Sequence, residues 1–379
     1  MSRTALIHTP NPAWLHDPQA FAVNRLSARS SHHSTAPRQS LDGTWEVALT
    51  SGTRVSLENP TSAFTQGHVH AVPVPSTLET EGLWPPAYVN IQMPWDGHED
   101  PQAPAAPADC RVAVYRRSFT LDEAMAQTLD ARGSVRVRFD GFATALYIWV
   151  DGTFVGYCED GYTASEFDIT GALADDREQH DIVVVCYEYS SASWLEGQDS
   201  WRFHGLFRSV CLVALPAAHV ENLEVGADYD HASGSGGLSV AATIAGACEG
   251  LTVAAELTDP DGKVAWHTEG PASAERLELT ADLAAVSPWS AESPALYTLT
   301  LELRGPDGVS VERVSQRVGF RRFEIVDGVF MLNGRRLIFR GANRHEFDPR
   351  TGRTVSLEAM ITDVKLCKQL NINAIRTSH

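Results

Sequence analysis

The chain has no run of apolar residues approaching the ~20 that a bilayer-spanning helix needs. Its opening, MSRTALIHTPNPAWLHDP, lacks the apolar centre of a secretory signal, so the expected compartment is the cytoplasm. None of the six cysteines (Cys110, Cys158, Cys186, Cys211, Cys248, Cys367) lies in a CxxC pair, which argues against a zinc site or a disulfide frame. Several sit in apolar runs such as IVVVCYEY and SVCLVAL and read as small buried hydrophobes. Basic residues are scarce, 30 against 48 acidic ones, giving a net charge of −18 over 379 residues. Such a surface repels a phosphate backbone or an anionic membrane, so neither nucleic acid nor membrane is an expected partner.

What is present is a succession of short strand patterns. Residues 1–39, rich in Pro, Ser, His and Asn, read as an extended arm lying on the rest of the molecule. Residues 40–216 carry TWEVAL, SVRVRF, ALYIWV, DIVVVCYEY and SVCLVAL. Asp151-Gly152 between ALYIWV and TFVGY signals a hairpin, with Asp151 in the turn. The pattern predicts an antiparallel sandwich, a jelly roll. Residues 217–318 hold six further runs, from LSVAATIAG to VSVERVSQRVGF, about what an immunoglobulin-like sandwich needs.

From 319 to 379 the pattern changes. RRLIFRGAN reads as one buried strand, Ser356 as a helix cap with Glu358 in the first turn, and Leu357, Met360, Ile361, Val364 and Cys367 as one helical stripe. NINAIRTSH is a second strand. A crossover this short implies parallel neighbours. Two parallel strands need further strands and helices on both faces. The expected fold is therefore mainly β: two sandwiches, then the first β-α-β unit of an incomplete (β/α)8 TIM barrel. A small β-α-β cap on the sandwiches is the alternative.

Four motifs carry chemistry: PAYVNIQMPW (86–95), RFDGFATALYIWVDGTFVGYCEDGYTASEFDIT (138–170), SWLEGQDSWRFHGLFRSVCL (193–212) and GVFMLNGRRLIFRGANRHEFDPRTG (328–352). The carboxylate of Asp199 suits adjacent sugar hydroxyls, and the Trp194 and Trp201 that flank it offer faces for a sugar ring; the residues alone fit equally well a surface loop whose tryptophans pack on the next domain. An asparagine such as Asn90 both donates and accepts. His345 follows the first barrel strand and His379 closes the second, at the end where barrel sites form. Taken together and in order, these motifs resemble the bacterial β-galactosidases of glycoside hydrolase family 2. The resemblance implies a retaining hydrolase of terminal β-D-galactosides. It implies sugar contacts from Asn90, Asp199, His345 and His379, support from Trp201, Arg344, Glu346 and Arg376, and a sodium ion on Asp199. This chain departs from the family pattern at Gly197, Ser200, Phe347 and Asp348.

A retaining glycosidase needs two carboxylates about 5–5.5 Å apart. In the family both are glutamates on later barrel strands, beyond His379, as are the magnesium ligands. The 379 residues alone are therefore expected to be inactive, with magnesium only in the complete enzyme, which the resemblance makes a homo-oligomer. Other family 2 specificities, β-glucuronidase or β-mannosidase, stand as alternatives, as does a non-catalytic carbohydrate-binding protein. A glucuronidase would need cations for the sugar carboxylate, and the sequence shows no suitable basic cluster.

Overall fold

A computed structural model describes residues 6–97, 99–173, 177–196, 199–272 and 276–378. The first sandwich packs two antiparallel sheets. One has seven strands in the order Ala22–Val23, Thr153–Cys158, Ala145–Val150, His180–Tyr187, Arg111–Phe119, Gly43–Ser51, Val69–Val74. The other has four: Ser165–Asp168, Ser134–Phe139, Val210–Leu215, Arg38–Ser40. Ile182, Val184 and Cys186 point into the core between the sheets, with Trp45, Phe139 and Phe167. Val183, Val185 and Tyr187 alternate to the opposite face. There Leu15 and Val23 of the arm bury themselves and Trp14 packs against them. Trp14 stacks on Tyr147 at 6.0 Å, and the Tyr147 hydroxyl donates to the Asn11 carbonyl at 2.9 Å. Every residue of ALYIWV is buried because the arm covers the outer face. Each apolar side chain so covered contributes about 1.5–3 kcal/mol.

The arm also joins the two sandwiches. His33–Ser34 adds an edge strand to the second sandwich, and Arg38–Ser40 one to the first. Between them, Arg29 donates to both oxygens of Glu166 at 2.9 Å. Arg136 and Arg138 reach the same carboxylate, and Arg136 also holds Glu221 at 2.7 Å. Burial would raise the Glu166 and Glu221 carboxyls. The arginines, and for Glu221 first of all His219, outweigh it and hold both low, Glu221 at about 2.

The second sandwich faces His219–Tyr229, Gly236–Ala245 and Arg276–Leu283 against Val264–Pro271, Thr252–Thr258, Tyr297–Arg304 and Ser310–Val318. Val240, Leu257, Leu299, Leu301 and Phe320 fill its core. All six cysteines are free; Cys110, Cys158, Cys186 and Cys248 are buried, whereas Cys211 and Cys367 are partly exposed, and burial pushes the Cys110 and Cys158 thiols up to about 12.

Beyond Phe320 the chain forms an antiparallel sheet of Phe323–Val326, Val329–Leu332 and Arg335–Arg336. RRLIFRGAN is therefore not one strand. Arg335–Arg336 completes this sheet, while Gly341–Arg344 pairs parallel with Ala374–Thr377. The backbone changes partners between them, and Ile338 and Phe339 are 60% and 52% exposed rather than buried. The helix Leu357–Gln369 supplies the crossover. Ser356 caps it by accepting from the Ala359 N–H, and Glu358 sits in the first turn. Its apolar stripe is uncovered: Leu357, Ile361 and Val364 are all exposed. Among the described residues, no helix is long and apolar enough to cross a membrane.

Candidate active site

The loop after the first barrel strand lies on the jelly roll. Arg353 donates to the Trp201 carbonyl at 3.3 Å and sets its guanidinium over Tyr162 at 5.0 Å. The Thr354 hydroxyl donates to the Phe207 carbonyl at 3.1 Å, and Phe203 meets Phe347 at 6.4 Å. A cavity of about 500 Å³ remains between the two parts. Trp201, Glu196 and Tyr162 form one wall; Arg344, His345 and Glu346 form the other. The C-terminal end of a barrel strand thus faces the sandwich loop that carries Asp199.

Four of the predicted residues, Trp201, Arg344, His345 and Glu346, share this cavity. Asp199 precedes the lining residue Ser200 and stands beside it, half-buried, with φ +49°. Aspartate tolerates that left-handed backbone better than most residues. Its N–H donates to the Asn90 carbonyl at 3.2 Å, and Tyr88 donates its hydroxyl to the Asp199 carboxylate. The pairing of Ala87–Val89 with Ser200–Arg202 places Tyr88 opposite Trp201. Asn90 is thus at Asp199 through its backbone, and its side chain is exposed. Arg376 is exposed and reaches the Asn343 side chain at 3.5 Å. His379 lies outside the described residues.

Trp194 departs from its expected place. Its Nε1 donates to the Ala105 carbonyl at 3.0 Å and its ring meets Trp95 edge-on at 5.0 Å, so it anchors the loop rather than facing the cavity. Residues the motifs did not single out also shape the site. Burial pushes the Glu196 carboxyl up to about 7, helped by Glu159 and Asp160. Arg208 pairs with Glu346 at 3.6 Å and donates to the Tyr162 carbonyl at 3.2 Å. Tyr88 and Arg353 enter only through tertiary pairing, which local sequence does not display. Three arginines, Arg208, Arg344 and Arg353, thus meet at the cavity, a basic cluster that the sequence did not reveal. Each is engaged: Arg208 by Glu346, Arg344 by Asp363 at 2.6 Å, Arg353 by Trp201 and Tyr162.

Residues 38–216 match the sugar-binding domain of glycosyl hydrolases family 2, 218–321 a second domain of that family, and 323–379 its TIM barrel domain. Together these matches span most of the chain, which belongs to glycosyl hydrolase family 2. It is 47% identical to the β-galactosidase BgaC of Bifidobacterium adolescentis, over 99% of this chain and 38% of that protein. It is 42% identical to a β-galactosidase of Lactobacillus delbrueckii subsp. bulgaricus, over 97% of this chain and 37% of that one. The chain therefore spans less than two fifths of the length of these relatives. The fold matches an apo structure of Bacteroides uniformis β-glucuronidase 3 with a TM-score of 0.71 at 23% identity, covering 93% of this chain and 43% of that one.

Proposed function

We propose that this chain supplies the sugar-binding walls of a retaining β-galactosidase that removes terminal β-D-galactose from lactose-type substrates. The observation that carries the reading is the cavity between Trp201 on the sandwich and His345 just after the first barrel strand, with Asp199 next to the lining residue Ser200. Trp201 offers an apolar face to the ring. Asp199 and His345, with Asn90 and His379, hydrogen-bond its hydroxyls. Glu346 holds Arg208, and Arg344 ties the strand to the helix through Asp363. Arg376, on the neighbouring strand, steadies the floor through Asn343.

Asp199 also suits a sodium ion. A hard cation takes oxygen ligands, and this carboxylate is half-exposed beside the cavity. The ion would add a fixed positive charge near the sugar hydroxyls. Magnesium is assigned to no residue of this chain.

The acid/base and nucleophile are the two glutamates that the resemblance puts on later barrel strands, so the 379 residues alone should not turn over substrate. Two of the three cavity arginines, Arg208 and Arg344, already face a carboxylate, which favours a neutral sugar over a glucuronide, whose carboxylate needs a cation not already paired. The test is an assay of the enzyme carrying this chain on p-nitrophenyl β-D-galactoside, β-D-glucuronide and β-D-mannoside. The galactoside should have the highest kcat/KM, and the isolated 379 residues should give none. A preference for the glucuronide or mannoside would overturn the specificity. Turnover by the isolated chain would overturn the placement of the catalytic pair.

A further inference from the structure

We infer that Glu159 is a positioning residue for the sugar site, holding the short helix that leads to Glu196 on the cavity wall. This rests on the reading of that cavity as sugar-binding. Glu159 directly follows the hairpin strand Thr153–Cys158 and is 1% exposed. A carboxylate so buried costs free energy unless its oxygens are all used. They are. The Ala192 N–H donates at 2.9 Å, the Ser191 hydroxyl at 3.0 Å, and the Tyr157 hydroxyl at 2.5 Å. Ala192 and Ser191 open the short helix Ser191–Trp194.

Trp194 closes that helix and is itself fixed by Ala105 and Trp95. Leu195 and Glu196, which follow it, line the cavity. The strand Ser200–Arg202, next to Asp199, pairs with Ala87–Val89. Glu159 therefore anchors the Glu196 side of the cavity, and the strand pairing anchors the Asp199 side. A buried residue that touches no sugar can thus set the affinity by fixing where the sugar-contacting wall lies. The carboxylate also stands where the arm crosses, since the Glu159 N–H donates to the Phe21 carbonyl at 2.8 Å.

The experiment uses two readouts. Glutamyl endopeptidase should cut after Glu196 slowly in the wild-type chain. Losing hydrogen bonds to a buried charge should raise that rate by roughly tenfold or more in Glu159→Ala. In the active enzyme the same change should raise KM for a galactoside by about tenfold while kcat changes by less than about threefold. Glu159→Gln, which keeps one acceptor, should recover part of both. If Glu159→Ala does not fold, Ser191→Ala removes one of the bonds and should show a smaller shift of the same kind. Unchanged cutting and unchanged KM would overturn the inference. So would a rise equal to that at a remote loop, after Glu292, which would mean general loosening. If Asp199→Asn leaves KM unchanged, the sugar reading has failed, and the cutting rate alone still decides whether Glu159 anchors the Glu196 side.

Discussion

Asp151 shows how one side chain can serve more than the turn that reveals it. Asp151-Gly152 forms the expected hairpin with both residues at positive φ, +48° and +78°. The Asp151 carboxylate also accepts from the Asp181 N–H at 2.8 Å and pairs with His180 Nδ1 at 2.6 Å, with both side chains buried. Asp151→Ala should therefore destabilise the chain by about 2 kcal/mol, because it leaves a buried imidazole without its partner. Thermal unfolding measures this. A change no larger than for Asp259→Ala, in an exposed turn, would count against the pairing. Asp199 was legible in the sequence as a carboxylate beside Trp201, but its environment was not. Tyr88 and the Asn90 carbonyl reach it across a strand pair whose members are 111 residues apart in one case, and local pattern carries no such information.

At the level of elements, the alternating runs TWEVAL, SVRVRF and SVCLVAL appear as strands because period two was visible in them. ALYIWV is apolar throughout and signalled two buried faces, yet nothing local said that Trp14 and Leu15 provide the outer cover. Trp14→Ala should lower stability by about 2–3 kcal/mol, somewhat less than for a fully buried tryptophan; equilibrium urea unfolding of the two chains compares them. The helix Leu357–Gln369 was legible from its cap and stripe. RRLIFRGAN was misread because an apolar run does not say where its partner changes. In the 379-residue chain, Phe323, Ile325, Ile338, Leu357 and Leu370 are half-exposed or more. Amide exchange should accordingly be fast across 336–378 and slow in Ala145–Val150 and His180–Tyr187. Limited proteolysis should cut first near 334–352. Equal protection of the two regions would mean that something other than this chain's own packing holds the barrel strands.

For the whole molecule, the arm is the tie between the sandwiches, and its ionic junction is sensitive to acid. Glu221 is held at about 2, below the ordinary 4.5, and Glu166 is held low as well. A depressed carboxyl contributes fully above the ordinary value and loses that contribution as pH falls towards the folded one. The melting temperature of the wild type should therefore fall more steeply below pH 4.5 than that of Glu221→Gln. Parallel slopes in calorimetry would contradict the role of this pair. The same architecture sets a sandwich loop against a barrel strand end, and the proposed function depends on that juxtaposition. Its most direct test is the steady-state kinetics of Asp199→Asn, with sodium titrated, in the enzyme carrying this chain. We predict a loss of roughly tenfold or more in kcat/KM for a β-galactoside, together with loss of sodium dependence. Asp259→Asn, which changes the same charge in an exposed turn, should remain within about twofold. Equal, small effects from the two substitutions would contradict the account.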